Sequence, residues 1–339
     1  MSAADRLVYS AAAGRFVLGP IVSWGQRRHD RTEETPTPAY RAMRKLYGSS
    51  ATAPWEAQVA RAARSHPLLD LAGEPDGVAA GHVSDLVAGL RTDGFVRLPG
   101  RLDEASCADL ERAAASATCR LTEPLVPEAP GSARFDPEAP LAVRSDLAEA
   151  DILTSEAAQR LLADESLLAV AQEYLGAAPV QDLTAMWWSA AGATASDAAA
   201  QMFHFDLDRL RFLKFFAYLT DVDDQHGPHV YVRGSHGAKP EALRHDGRHA
   251  DAAVEAAFPG AATSITGPRG TMFLADTLGL HKGLGLRTGH RLVFQMEWAT
   301  SLFGAPYDRP AIPHPVDVLT DAAARHPWAY QRFALGDPG

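Results

Sequence analysis

One segment of the chain, residues 201–216 with the sequence QMFHFDLDRLRFLKFF, places a histidine and a carboxylate one residue apart among apolar side chains. In an extended strand, alternate residues project from the same face. His204 and Asp206 would therefore point together, while Phe203 and Phe205 face the other way. Such a pair can be a solvated polar edge, a buried pair with satisfied hydrogen bonds, or two ligands of a metal ion. The pair by itself leaves all three interpretations open.

A possible third metal ligand and a buried cation follow downstream. The segment GTMFLADT predicts a strand, and His281 lies just beyond it, where a glycine-rich loop begins. Arg291 then opens the strand-like run RLVFQMEW, where a guanidinium is costly unless it meets an anion. Its planar fork suits a carboxylate in a two-point contact. Together these residues indicate a metal site and a small anionic co-substrate that chelates the metal.

The elements that must position these residues change in character along the chain. Up to about residue 90 the sequence is rich in alanine and arginine, which predicts helices and surface connections. Further helices are predicted to begin after Asp103 and to end at Gly176. From Val180 onward, short aromatic and branched runs alternate with Gly, Pro and Asp turns, a pattern typical of a β-sandwich or barrel.

We therefore predict a single compact domain built around an antiparallel β core, with helices covering one side. Residues 1–84 are expected to form a helical elaboration packed on the core. Residues 85–302 are expected to form the core domain, and residues 303–339 a tail packed on it.

Composition limits the classes of function. The 339 residues suffice for a sizeable core, and 46% hydrophobic with 22% charged residues is typical of a globular protein. The net charge of −10 disfavours a nucleic-acid partner. No apolar run reaches the length of a membrane helix, and the amino terminus does not resemble a secretion signal. Cys107 and Cys119, both in one predicted helical stretch, form no disulfide framework, so a cytoplasmic location is expected.

In its ordered motifs the chain resembles the phytanoyl-CoA dioxygenase-like family of iron(II)- and 2-oxoglutarate-dependent oxygenases. HFD, LKFFAYLTDVDDQHGPHVYVRGSH and LADTLGLHKGLGLRTGHR match the family pattern in order. That pattern contains a His-any-Asp pair, an acidic turn, Gly-Pro and Gly-Ser-His segments, a distal histidine and an arginine about ten residues later. The resemblance covers roughly residues 85–300. It implies an α+β fold with a mainly β core: a double-stranded β-helix (jelly roll, cupin-like) flanked by helices.

The resemblance also implies roles for particular residues. His204, Asp206 and His281 would bind Fe(II) as the catalytic centre and leave three positions on the iron for 2-oxoglutarate and O2. Arg291 would hold the far carboxylate of 2-oxoglutarate. The reaction would release succinate and CO2 and would hydroxylate a small-molecule substrate, in secondary-metabolite or glycan-related biosynthesis among other settings.

One position departs from the family pattern. Relatives often carry a hydroxyl residue two positions after the distal histidine, where this chain has Gly283. Lys214 and Gln201 are therefore further candidates for binding 2-oxoglutarate. Each has an alternative: Lys214 can face solvent from its strand, and Gln201 can close a loop.

Other interpretations remain at this point. Three more histidines are rival metal ligands, but they lie in or beside turns, and we predict structural roles for them: His226, His229 and His236. The protein could be a cupin-like metal enzyme that does not use 2-oxoglutarate, or a jelly roll that has lost its metal. The same centre could also perform desaturation, epoxidation or ring chemistry. The sequence specifies neither the substrate, nor the residues of its pocket, nor the oligomeric state.

Overall fold

The computed structural model of the chain describes residues 11–48, 61, 66–71, 76–192 and 200–336. The elements that precede the core, in chain order, are α1 (Ala11–Thr32), α2 (Thr37–Gly48), α3 (Val83–Asp93), β1 (Phe95–Arg101), α4 (Glu104–Ser116), β2 (Cys119–Pro124), β3 (Ser132–Ala133), β4 (Ala142–Asp146), α5 (Glu149–Ile152), α6 (Glu156–Leu162) and α7 (Glu165–Leu175).

Seven core strands follow, with a 3₁₀ turn (Glu241–Leu243) and helix α8 (Asp251–Ala257) between the third and the fourth. These strands are β5 (Val180–Ala190), β6 (Phe212–Tyr218), β7 (His229–Val232), β8 (Ala262–Ile265), β9 (Thr271–Ala275), β10 (His281–Gly283) and β11 (His290–Ala299). The last elements are β12 (Ala311–Ile312), α9 (Asp317–Arg325), α10 (Pro327–Tyr330) and β13 (Ala334–Leu335).

Strands β1 to β11 form two antiparallel sheets. The larger has the order β1-β9-β6-β11-β5-β4-β2-β3, and the smaller has the order β10-β7-β8. Residues 203–206 extend the smaller sheet, because His204 bridges His281 in antiparallel fashion. From β5 to β11 the chain therefore passes back and forth between the sheets, as in a jelly roll. The predicted α+β fold with a double-stranded β-helix flanked by helices is confirmed, and the sheets do not close into a barrel.

The central strands of the larger sheet are buried on both faces, which explains why their sequences are apolar runs. Phe215 of β6 and Phe294 of β11 pack in the cluster shared with the flanking helices. Phe216 and Val293, their neighbours in sequence, pack in the cluster between the two sheets. Because side chains alternate along a strand, Lys214 shares the face of Phe216 and also points between the sheets.

The flanking helices begin and end where local sequence signals place them. Asp103 accepts a hydrogen bond from the backbone N–H of Ser106 at 2.8 Å and caps α4. Gly176, with φ of +68°, ends α7 in the left-handed conformation that glycine adopts without strain. Both predictions are confirmed. The placement of both cysteines in one helix is wrong, because Cys107 lies in α4 and Cys119 begins β2.

The two ends of the described chain pack on the core. Met43 of α2 lies in an apolar cluster with Leu207 and Phe303, and Tyr330 of α10 donates a hydrogen bond to the Leu162 carbonyl at 2.9 Å. The predicted domain limits at residues 84 and 302 stay predictions. None of the helices in the described ranges is both long enough and apolar enough to cross a membrane.

Candidate metal and co-substrate site

Three side chains converge between the two sheets. His204, Asp206 and His281 each offer a ligand atom, and these atoms all lie within 4.8 Å of one another. His204 Nε2 is 3.8 Å from Oδ1 of Asp206, and His281 Nε2 is 3.6 Å from Oδ2. The two histidines also exchange backbone hydrogen bonds of 3.0 and 2.8 Å. The jelly-roll pairing itself therefore brings together ligands that are distant in sequence.

Both histidines present Nε2 to the centre of this group. Nδ1 lies 2.9 Å from the Met202 carbonyl in His204 and 2.9 Å from the Gly279 carbonyl in His281. A carbonyl can only accept, so each Nδ1 carries the proton and each Nε2 keeps a free lone pair. Burial lowers the pKa of His204, and burial next to His204 lowers the pKa of His281 to about 3. Both rings are therefore neutral, as metal ligation requires.

Asp206 supplies the anionic ligand, and Lys214 is its partner. Burial disfavours the ionised carboxylate, but the charge and the hydrogen bond of the Lys214 ammonium outweigh burial and hold the pKa of Asp206 well below its usual value. Lys214 Nζ donates to Oδ2 at 2.7 Å and lies 3.3 Å from Oε2 of Glu297. Two neutral imidazoles and one carboxylate on one side of a shared centre fit Fe(II) with open positions.

The opposite end of the site is cationic. Arg291 on β11, Ser189 on β5 and Arg144 on β4 lie side by side in register. Arg291 Nη2 donates to Ser189 Oγ at 3.3 Å, whereas its Nε finds no acceptor among the described residues. Burial, with a further contribution from the charge of Arg144, lowers the pKa of Arg291 to about 10. A buried guanidinium that lacks a carboxylate partner in the described part of the chain can bind an anion.

One cavity of about 260 Å³ contains both the metal ligands and Arg291. Apolar and aromatic side chains form much of its wall, among them Leu183, Trp187, Phe216, Phe273 and Val293. Gly283 borders it as well, and a Cβ at this position would lie 3.5 Å from Arg291 Nη2. The absence of a side chain at Gly283 thus leaves space beside the guanidinium.

The structure places the two additional co-substrate candidates away from Arg291, although Lys214 lines the same cavity. Lys214 points inward, but it pairs in register with Glu297, six residues from Arg291. At a rise of about 3.3 Å per residue, the two ends of that stretch lie roughly 20 Å apart. The buried Gln201 lies near Gly285, in the loop after β10, where a Cβ would come 3.5 Å from its Oε1. A 2-oxoglutarate contact by either residue stays a prediction.

Sequence reasoning missed Arg144 and Ser189, and it interpreted His229 only as a structural residue. All three are adjacent to the site because of strand register, which a single sequence does not reveal. The two tryptophans of β5 separate as alternation requires. Trp187 lines the cavity and lies 4.3 Å below the Arg144 guanidinium, while Trp188 stacks on Phe135 on the other side.

The jelly roll with its His-Asp-His donor set defines an iron(II)- and 2-oxoglutarate-dependent oxygenase. The profile of the Phytanoyl-CoA dioxygenase (PhyH) family matches residues 90–291, and the chain belongs to this family. The resemblance seen in the sequence is thereby confirmed. No curated protein matches the chain in sequence.

Three solved structures with similarity to the chain are distant from it in sequence. The non-heme alpha ketoglutarate dependent epimerase SnoN from nogalamycin biosynthesis is 20% identical, over 64% of this chain and 82% of SnoN, with a TM-score of 0.44. AviO1 from Streptomyces viridochromogenes Tue57 is 16% identical, over 66% and 97%, with a TM-score of 0.45. EctD from S. alaskensis, solved with 2-oxoglutarate and 5-hydroxyectoine, is 19% identical, over 69% and 81%, with a TM-score of 0.45.

Proposed function

We propose that the protein hydroxylates a small molecule, using Fe(II), 2-oxoglutarate and O2 and releasing succinate and CO2. His204, Asp206 and His281 bind the iron, and Arg291 binds the far carboxylate of 2-oxoglutarate. The observation that carries this proposal is a single cavity with a metal donor set at one end and a buried arginine, without a described carboxylate partner, at the other. We also propose a cytoplasmic location. We further propose that the protein does not bind nucleic acid, which the net charge of −10 supports.

The side chains of the cavity have separable tasks in this reaction. The two imidazoles keep their Nδ1 protons on backbone carbonyls, so they remain oriented without exchanging protons with the substrate. Phe216, Phe273 and Val293 exclude water from one wall. When bound, iron and 2-oxoglutarate supply the oxidising power, whereas the protein supplies position and a dry environment. Leu183 and Trp187 of β5 form the wall that remains for the substrate.

The test has two stages. First, anaerobic titration of the apoprotein should show one Fe(II) and one 2-oxoglutarate bound per chain. His204→Ala should weaken metal binding by more than about 100-fold. A loss of about 100-fold is the most expected when the changed residue only supports a metal ligand. His290→Ala is the matched control, since His290 contacts Phe135 and Trp188 rather than the cavity. Iron binding without 2-oxoglutarate binding in the wild type would contradict the proposal.

The second stage identifies the reaction. Oxygen-dependent succinate release is measured against a panel of metabolites, and the product of each active compound is analysed by mass spectrometry. Hydroxylation adds one oxygen atom from O2 to the substrate. Loss of two hydrogen atoms, or an unchanged mass, would instead indicate desaturation or rearrangement by the same centre.

A further inference from the structure

His229, the first residue of β7, carries an imidazole without a hydrogen-bond partner. Its Nε2 is enclosed and has no partner among the residues that the structure describes. The ring stacks almost parallel on His281, with centroids 5.3 Å apart, and contacts the rings of Phe216 and Phe273 at 5.2 and 5.4 Å. Buried polar atoms in native proteins are nearly always hydrogen-bonded. His229 also lines the cavity, so its ring borders any molecule that occupies that space.

The position of His229 specifies which part of a bound molecule it can reach. His229 and Gly283 are directly opposite each other across β7 and β10, so both face the cavity side of the small sheet. A Cβ on Gly283 would lie 3.5 Å from Arg291 Nη2. The space beside Gly283 is therefore bordered by the imidazole on one side and by the guanidinium on the other. An anion held by Arg291 from the Gly283 side would lie in that space.

Tyr218 also lines the cavity, but its hydroxyl cannot donate a hydrogen bond to the same anion. Its O–H donates to the Ile265 carbonyl at 2.8 Å, and its oxygen accepts from the backbone N–H of His229 at 3.0 Å. An imidazole carries an N–H donor in either tautomer, so His229 can donate a hydrogen bond to an anion.

We propose that His229 is a co-substrate-binding residue, which donates a hydrogen bond from its imidazole to the distal carboxylate of 2-oxoglutarate beside Arg291. This inference rests on the proposed function, because it takes 2-oxoglutarate as the occupant of the cavity. Under this proposal, His229 on β7 raises the affinity for 2-oxoglutarate and the selectivity against other keto acids. The protein should discriminate 2-oxoglutarate from keto acids that chelate a metal equally well but lack the second carboxylate.

The experiment compares two probes in the full-length protein loaded with Mn(II), which replaces Fe(II) so that binding is measured without turnover. The probes are 2-oxoglutarate and 2-oxobutanoate, which retains the keto-acid end but lacks the distal carboxylate. His229→Phe keeps the ring stacking and removes the donor. It should weaken 2-oxoglutarate binding by about 10-fold or more, the loss expected for a hydrogen bond to a charged acceptor. Binding of 2-oxobutanoate and of Mn(II) should change less than about 2-fold.

Two further variants sharpen the test. Gly283→Ser in the His229→Phe background places a hydroxyl donor in the same space, where its Cβ meets only ordinary contacts, and should recover most of the lost affinity. His226→Phe is the control, since His226 pairs with Asp223 at 2.7 Å in an exposed turn, and it should bind both probes like the wild type. If His229→Phe does not fold, His229→Leu replaces it in the same comparison.

The outcomes are distinguishable. Unchanged 2-oxoglutarate affinity in His229→Phe overturns the inference. Equal losses for both probes, or a loss of Mn(II) affinity, also overturn it, because they would show that His229 acts by supporting His281. Failure of the wild type to bind 2-oxoglutarate refutes the proposed function instead.

Discussion

Lys214 and Lys282 are two lysines of similar burial whose ion pairs should differ in their contribution to stability. Their side chains are 7% and 9% exposed. Lys214 lies 2.7 Å from Asp206 and 3.3 Å from Glu297, whose side chains are 19% and 1% exposed. Lys282 pairs with Asp251, whose side chain is 71% exposed. Water can therefore solvate the partner of Lys282 freely, whereas it hardly reaches Glu297 and reaches Asp206 only in part.

We expect Lys214→Met to lower the free energy of unfolding by about 3–5 kcal/mol, the cost of leaving a buried charge without its partner. Lys282→Met should lower it by about 1 kcal/mol or less, as for an exposed pair. Methionine keeps an unbranched stem, so the main change is the loss of charge. Urea unfolding of the metal-free proteins at pH 7 measures both values. Added Mn(II) should restore part of the loss at position 214, because a divalent cation on Asp206 replaces the missing positive charge.

A Glu297→Gln background makes this test independent of packing. With one buried carboxylate neutralised, Lys214→Met should cost less than it does in the wild type, and the difference is the coupling between the two residues. Equal losses in the Lys214 and Lys282 variants, or no coupling to Glu297, would refute the view that buried carboxylates depend on Lys214.

Three further predictions concern other parts of the site. Arg291→Met should weaken 2-oxoglutarate binding by about 100-fold, since two charge-assisted contacts are lost, while calorimetry shows unchanged Mn(II) affinity. Gly279→Ala should lower the free energy of unfolding by about 1–3 kcal/mol, because its Cβ would overlap the Tyr231 hydroxyl; an unchanged urea midpoint contradicts this. Burial lowers the pKa of Lys239 from 10.5 to about 8, so the folded state binds this proton less well than the unfolded state. Lys239→Met should therefore melt at a higher temperature than the wild type at pH 7, with a difference that shrinks between pH 8 and 10.5; a pH-independent difference would refute the shift.

The sequence allowed a detailed prediction where chemistry and periodicity coincide. His204 and Asp206 were expected on one face because strand residues alternate, and the structure brings both to His281. For Lys214 the same rule was insufficient. Alternation places it with Phe216, but β6 is buried on both faces, so the pattern of apolar residues does not distinguish the cavity side from the helix side.

Contacts that depend on strand register were beyond prediction from one sequence. Arg144 and Arg291 are neighbours because both pair with Ser189, although their strands are far apart along the chain. His229 lies opposite Gly283 for the same reason. Arg144 and Ser189 looked ordinary in their own segments, and only the pairing of distant strands gives them a place at the site.

The mutual backbone hydrogen bonds of His204 and His281 affect how the protein acquires its metal. These residues belong to segments that meet only after the intervening chain has folded, and closing so long a loop carries an entropic cost. An unfolded chain thus offers no preformed pocket, and ion uptake must follow collapse of the two layers. The ion then acts as a removable cross-link across the jelly roll, and nearly all of its binding energy appears as resistance to unfolding.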